Sequence, residues 1–145
     1  MLALTKKTGY GLIAMAYLAR LDGRLACSRE ISETFDVPSG LLMNVLKELS
    51  SAGFIESVRG AHGGYRLARR PKKISVAELI TVLEGPIRLA ECMRKGHKAD
   101  GEGICRLVDH CPIADPVHRV QRKLSDFLRN MTLEDLMDPE NVGQR

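Results

Sequence analysis

The chain has 145 residues, 44% hydrophobic and 28% charged, which is the composition of one folded domain or of a small domain with an appendage. Aromatics are only 4% and Trp is absent, which excludes an aromatic-rich platform for single-stranded nucleic acid and argues against an immunoglobulin-like sandwich. The formal net charge of +4 permits a nucleic-acid partner without demanding one.

Thr5 is an N-cap candidate for a helix to about Leu21, with Leu12, Met15, Ala16 and Ala19 at helical spacing and Asp22-Gly23 as the stop. Ser28 is the cap candidate for a short helix through Phe35, and Asp36-Val37-Pro38 forms a tight turn. Ser39 then caps a third helix to Ala52, whose apolar positions are Leu42, Val45, Leu46 and Leu49, with Gly53 as the C-terminal cap. The period changes after that. Phe54 to Val58 alternates, Gly60 to Gly64 turns, and Tyr65-Arg66-Leu67 returns, which predicts a β-hairpin. Ser75 and Glu78 have capping-box spacing and open a fourth helix, which Gly85-Pro86 stops near Glu84. Residues 92–111, with Gly96, Gly101, Gly103 and dense charge, read as a structured loop or a disordered excursion. Asp115-Pro116 predicts a helix start, with Asp115 as cap and Pro116 as the first helical residue. A long helix to about Asn130 follows, carrying Val117, Val120, Leu124, Phe127 and Leu128. Thr132 caps a last short helix with Leu133, Leu136 and Met137, and the tail from Asp138 is polar and frayed. The predicted fold is mainly α with a small β-hairpin, in the order of a winged helix-turn-helix. In that module the third helix enters a DNA major groove and the hairpin is the wing.

The wing and its exit, residues 59–73, contain Arg59, Arg66, Arg69, Arg70, Lys72 and Lys73 and no Asp or Glu. That +6 exceeds the net charge of the whole chain and reads as a phosphate-binding surface driven by counterion release. A solvated basic loop is the alternative. Arg59 precedes the turn, where it could reach a minor groove, and the glycines, Gly63 and Gly64 among them, let backbone amides approach a phosphate. His62 lies within the same turn. On the third helix the outward candidates are Ser39, Gly40, Met43, Asn44 and Lys47. Asn44 suits a bidentate contact to adenine, Met43 a thymine methyl group or the core, and Lys47 a phosphate.

No run approaches the ~18 apolar residues of a membrane span, and Met1 to Thr8 lacks a signal region with a cleavage site, so a cytoplasmic location is expected. Structural disulfides are rare there, and the four cysteines read as thiols, metal ligands or redox groups. Cys92, Cys105 and Cys111 have the spacing C-x12-C-x5-C. Without a C-x2-C pair this suits zinc poorly and an iron–sulfur cluster better; three unrelated thiols are the alternative. Cys27 reads as a small buried apolar residue. For a fourth ligand, His97, His110, Asp115 and His118 remain, with His118 reachable from the start of the long helix.

The stretches LTKKTGYGLIAMAYLA at 4–19, SVRGAHGGYRLAR at 57–69, ISVAELITVLEG at 74–85 and FLRNMTLEDL at 127–136 resemble the IscR/NsrR (Rrf2) family of bacterial winged-helix regulators. EGPIRLAEC at 84–92 is most similar to the subgroup that regulates SUF iron–sulfur assembly. The resemblance implies a homodimer paired through the long helix and reading a pseudo-palindromic double-stranded promoter site. It also implies a [2Fe–2S] or [4Fe–4S] cluster on Cys92, Cys105 and Cys111 whose state changes DNA affinity. The gap between Cys92 and Cys105 is longer than the family's usual one, and the relatives' fourth-ligand positions fall on Ala114 and about Gly9. The acidic recognition-helix residue of IscR corresponds to Met43.

The expected division is a winged helix-turn-helix at 1–84, a cysteine-containing loop at 85–115, and a dimerisation helix with tail at 116–145. The expected function is a cytoplasmic bacterial transcription regulator, a repressor of iron–sulfur assembly genes, with DNA and a second copy as partners and neither membrane nor small-molecule substrate. A cluster-free thiol redox sensor is the alternative. A thiol oxidoreductase is disfavoured, since no C-x-x-C and no nucleophile–base pair is recognisable. The charge divides accordingly: residues 1–80 carry 12 basic and 7 acidic side chains, and residues 81–145 carry 10 and 11.

Overall fold

The computed structural model describes residues 4–90 and 110–138. Cys92, Cys105, His97, the glycines 96, 101 and 103, and the tail after Asp138 lie outside them. Helix α1 spans Lys6–Arg20, α2 Ser28–Phe35 and α3 Ser39–Ser51. Strands β1, Ile55–Val58, and β2, Gly64–Leu67, form an antiparallel hairpin with Ile55 opposite Leu67 and Val58 opposite Gly64. A 3-10 turn at Pro71–Lys73 leads into α4, Val76–Glu84; α5 is Ala114–Asn130 and α6 is Leu133–Met137. The order is that of a winged helix-turn-helix followed by a long helix, as expected from the periodicities.

Thr5 caps α1, its hydroxyl accepting from the Thr8 amide. The buried stripe of α1 is Gly11, Ala14, Met15 and Leu18, while Leu12, Ala16 and Ala19 are half-buried. The stripe is therefore turned by about one residue from the expected one. Gly11 accounts for this: it packs against Leu83 and Val45 so closely that a Cβ there would overlap Leu83. Bringing that bare position to the interface lets α1 meet α3 and α4 nearly backbone to side chain.

Three helix starts also differ from expectation. The cap of α2 is Cys27, whose thiol accepts from the Glu30 amide at 3.3 Å, and Ser28 is the first helical residue. Cys27 is exposed, not buried. The buried place belongs to its neighbour Ala26, which is paired with Tyr65 in both directions at 2.8 and 3.0 Å. In extended backbone the next side chain points the opposite way. At α3 the cap position is Pro38, no side chain caps the helix, and Ser39 is its first residue. At α5 the cap is Ile113, and Asp115 and Pro116 sit inside the first turn. Pro116 is tolerated there because the first amides of a helix have no intrahelical acceptor to lose, and Asp115 favours the positive end of the helix dipole without capping it.

Met15, Leu18, Ile31, Leu42, Val45, Leu46, Leu49, Ile74, Leu79 and Leu133 are fully or almost fully buried in one core. Leu133 belongs to α6, so the chain after α5 returns to the winged unit. Val76 donates to Met131 at 2.8 Å and Leu133 donates to Ile74 at 2.9 Å. The expected capping box closes, Ser75 with Glu78, and the Thr132 cap of α6 proves to be a second one, with Asp135. By contrast α5 contains no buried residue, and Ile113, Val120 and Phe127 are largely exposed.

Glu30 joins α1 to α2, accepting from the Tyr17 hydroxyl at 2.7 Å and from Arg24 at 2.8 Å. The Tyr17 hydrogen bond, then Arg24, hold its carboxyl below the usual carboxylate range. The Ser75 amide does the same for Glu78. A carboxyl with a lowered folded-state pKa leaves the unfolded chain to bind protons first. Its stabilising contribution is complete above the pKa of an unfolded glutamate, about 4.3, and is lost as pH falls below that. Urea unfolding from pH 7 downward is expected to show this acid loss, with a shallower fall in Glu30→Gln; an identical acid profile in the variant would refute the role of Glu30.

Candidate nucleic-acid interface

The packing of α3 determines what it offers to solvent. Leu42, Val45, Leu46 and Leu49 are inaccessible, so Met43, Asn44 and Lys47 point outward with Ser39 and Gly40 at the start of the helix. Met43 is 40% exposed, which places it on the outer side and not in the core. The turn Asp36-Val37-Pro38 sets the angle between α2 and α3. Asp36 adopts φ 51°, Val37 donates to the Ser32 carbonyl at 3.1 Å, and the Ser32 hydroxyl returns a bond to the Val37 carbonyl at 2.7 Å. Buried Val37 anchors the turn.

The wing follows α3 directly. Arg59 and His62 are exposed in its loop, and Gly60 takes φ 122°, a conformation that favours glycine. Gly63 and Gly64 are half-buried, and their first role is internal. A Cβ on Gly63 would overlap the Val58 carbonyl, and one on Gly64 would lie 2.7 Å from the Ala26 carbonyl. Both glycines therefore let the wing fold against its own strand and against the Ala26 segment.

The six cations of the wing and its exit are not equivalent. Arg66 faces Glu56 across the ladder and pairs with it at 2.8 and 2.9 Å. Arg69 lies over the Phe54 ring at 4.2 Å and pairs with Glu78 at 3.5 Å, and Lys72 pairs with Glu134 at 3.5 Å. Arg59, Arg70 and Lys73 form no ion pair with another described residue. The Arg66–Glu56 pair is about half exposed on both sides, at 46% and 49%, and a pair this exposed contributes only ~0–1 kcal/mol. Arg66 can exchange Glu56 for another anion at little cost. Sequence reading missed Glu56, although a five-residue hairpin loop places it opposite Arg66 by counting alone.

Of the expected metal ligands, Cys111 is half-buried three residues before α5, and His118 is exposed on α5. Among the described residues no group of three or more His, Cys, Asp or Glu side chains gathers at one point. Gln121, which the sequence did not single out, binds the backbone at both Ile87 and Leu89 at 2.8 Å. Its partners lie 32 and 34 residues away, so no local pattern could have revealed it.

Gly64→Ala is expected to break the Ala26–Tyr65 pairing without unfolding the chain, since overpacking costs about 1–3 kcal/mol. Amide exchange at Ala26 and Tyr65 should accelerate by about tenfold or more, and unchanged protection would refute the steric role.

Comparison with known proteins agrees with this architecture. The model of the Rrf2 family, described as an iron-dependent transcriptional regulator, matches residues 4–139. Protein aau3 of Rhizobium meliloti is 31% identical over 134 residues, covering 92% of this chain and 84% of its own. The structure of CymR (YrzC), the global cysteine regulator of B. subtilis, superposes with TM-score 0.74 at 30% identity, covering 96% of this chain and 98% of the other. IscR of T. potens superposes with TM-score 0.70 at 29% identity, covering 99% and 92%. Among the described residues no helix is long and apolar enough to cross a membrane. With a winged helix-turn-helix, an outward third helix and a family match over nearly its whole length, the chain belongs to the Rrf2 family and is a transcription regulator, not an enzyme.

Proposed function

We propose that the protein is a homodimeric repressor in the bacterial cytoplasm whose affinity for promoter DNA is set by an iron–sulfur cluster. The observation that carries the DNA reading is the outward side of α3, with Met43, Asn44 and Lys47 in solvent over a fully buried stripe and the wing immediately after. In this reading Asn44 and Met43 contact base edges, and Ser39 and Lys47 contact the backbone. Arg59, His62 and Arg66, with the amides of Gly63 and Gly64, hold the flanking phosphates or the minor groove. The dimer reading rests on α5. Ile113, Val120 and Phe127 recur every seven residues and are 59%, 56% and 50% exposed, a stripe that a second copy would cover.

The donor chemistry fits an iron–sulfur cluster. Cys92, Cys105 and Cys111 supply three soft thiolates, Cys111 is not sealed in the core, and His118 is the candidate fourth ligand. When bound, the group supplies one-electron chemistry and sensitivity to oxidants. The chain's part is to hold it between the segment after α4 and the start of α5. The proposed targets are iron–sulfur assembly genes, a reading supported by EGPIRLAEC at 84–92. A cluster-free thiol regulator is the second reading, favoured by the likeness to CymR and by the free, half-buried Cys111 thiol.

Purification without oxygen is expected to yield a coloured protein containing iron and sulfide, and Cys105→Ala should abolish stable binding while leaving the dimer. A colourless, iron-free product that cannot be reconstituted would overturn the cluster. DNA affinity that then follows thiol oxidation would establish the second reading. For the wing, binding is measured on a duplex selected from a random pool by the wild-type protein. Arg59→Ala should weaken binding and reduce the log–log salt slope by about one. Glu56→Gln, which releases Arg66 and removes a like charge from the phosphates, should tighten binding. Unchanged affinity in both variants would refute the wing as a contact.

A further inference from the structure

We propose that Gln121 is the positioning residue that couples the cysteine-bearing segment to α5 and through α5 to the wing. The inference deepens the proposed function and rests on its reading of residues 92–111 as the sensor. Gln121 lies midway along α5 with its side chain half-buried. Its Nε2 donates to the Ile87 carbonyl at 2.8 Å, and its Oε1 accepts from the Leu89 amide at 2.8 Å. The second Nε2 hydrogen goes to the Ser125 hydroxyl at 3.1 Å, one turn further along. One side-chain amide thus presents to residues 87–89 the donor and acceptor that a neighbouring strand would present, and both of its hydrogens are used.

The placement gives this contact its meaning. Leu89 is three residues before Cys92, and Cys111 is three residues before Ala114, where α5 begins. The two exits of the cysteine segment are therefore both tied to α5, one covalently and one by Gln121. At its far end α5 is fastened to the base of the wing, where Met131 accepts from Val76 and Leu133 donates to Ile74, the two bonds that set Ser75 opposite Thr132. A change that moves residues 87–89 is carried by the amide into α5, and α5 carries it to the segment that follows Arg69 and Arg70. A coupling of this kind transmits only the difference in contacts between two states.

Chemistry selects the amide. A glutamate at 121 keeps an acceptor for Leu89 but sets a second oxygen against the Ile87 carbonyl, so Gln121→Glu opens one of the two bonds with almost no change of shape. Gln121→Leu removes both and serves if the first variant folds poorly.

The test uses the full chain and the selected duplex, with two readouts. First, DNA affinity is compared for protein reconstituted with iron and sulfide and for the metal-free protein. The wild-type difference, about fivefold or more for a typical coupling, should shrink below about twofold in the variants, with the affinity of one state and the dimer unchanged. Second, the reaction rate of Cys92 with a thiol reagent is followed in metal-free, reduced protein with and without DNA. DNA shifts the shared two-state equilibrium, and with it the accessibility of Cys92, in the wild type and should not in Gln121→Glu. Failure to bind iron together with a DNA effect on Cys92 that Gln121→Glu abolishes would sink the cluster and leave the coupling standing. Iron binding with the same DNA dependence in wild type and variants would overturn the role of Gln121. So would the absence of any DNA effect on Cys92 in the wild type.

Discussion

Leu42, Val45, Leu46 and Leu49 lie at i, i+3, i+4 and i+7 of α3, and none of the four is accessible to solvent. Burying side chains of this size stabilises the fold by about 1.5–3 kcal/mol each, so rolling α3 about its axis would forfeit several such terms together. This is the one stripe of α3 that is buried, and the opposite side is therefore presented in a fixed register. Met43, Asn44 and Lys47 are outward because their neighbours are inward. The remaining elements serve that constraint: Gly11 lets α1 close on Val45 and Leu83, Val37 sets the turn into α3, and Glu30 ties α1 to α2.

The charges of the wing depend on the same frame. Read along the chain, residues 59–73 are an unbroken cationic run. Folded, the run is sorted by the ladder register and by the elements that pack beside it. Glu56 lies opposite Arg66, Glu78 reaches Arg69, and Glu134 of α6 reaches Lys72. Arg59, Arg70 and Lys73 are without such a pair among the described residues, and exposed Arg59 sits at the tip. The effective positive surface is thus narrower than the formal count, and Glu56 is a built-in competitor for one of its members.

The helix that follows has the opposite character. Helix α5 has no fully buried residue, yet it is held at its middle and beyond its far end: Gln121 grips residues 87–89, and the chain from Met131 on is stitched to Ile74 and Val76. A helix anchored at its middle and beyond its far end, and apolar along an exposed stripe, suits the proposed lever between residues 87–89 and the segment Ile74–Val76. Leu133 makes the far anchor firm, because a fully buried leucine from α6 belongs to the core of the winged unit.

Much of this was legible in the sequence. Periodicity located all six described helices and the hairpin, the Ser75–Glu78 capping box announced α4 and Thr132 as a cap announced α6, and the four apolar positions of α3 identified its outer side. These are local properties, set by 3.6- and 2-residue repeats and by bonds within one turn. The misread helix starts show where local rules stop. Cys27 caps α2 because Ala26 is held by Tyr65, and Ser39 is not a cap because Pro38 occupies that place. Which stripe of α1 is buried depended on Leu83, and which wing cations stay unpaired depended on Glu78 and Glu134. By itself the chain determined the elements, the sign and place of its charge, and the three spaced thiols. Only the tertiary structure decided which of those charges are neutralised and how α5 is fastened, since those bonds join residues that nothing brings together until the core has formed.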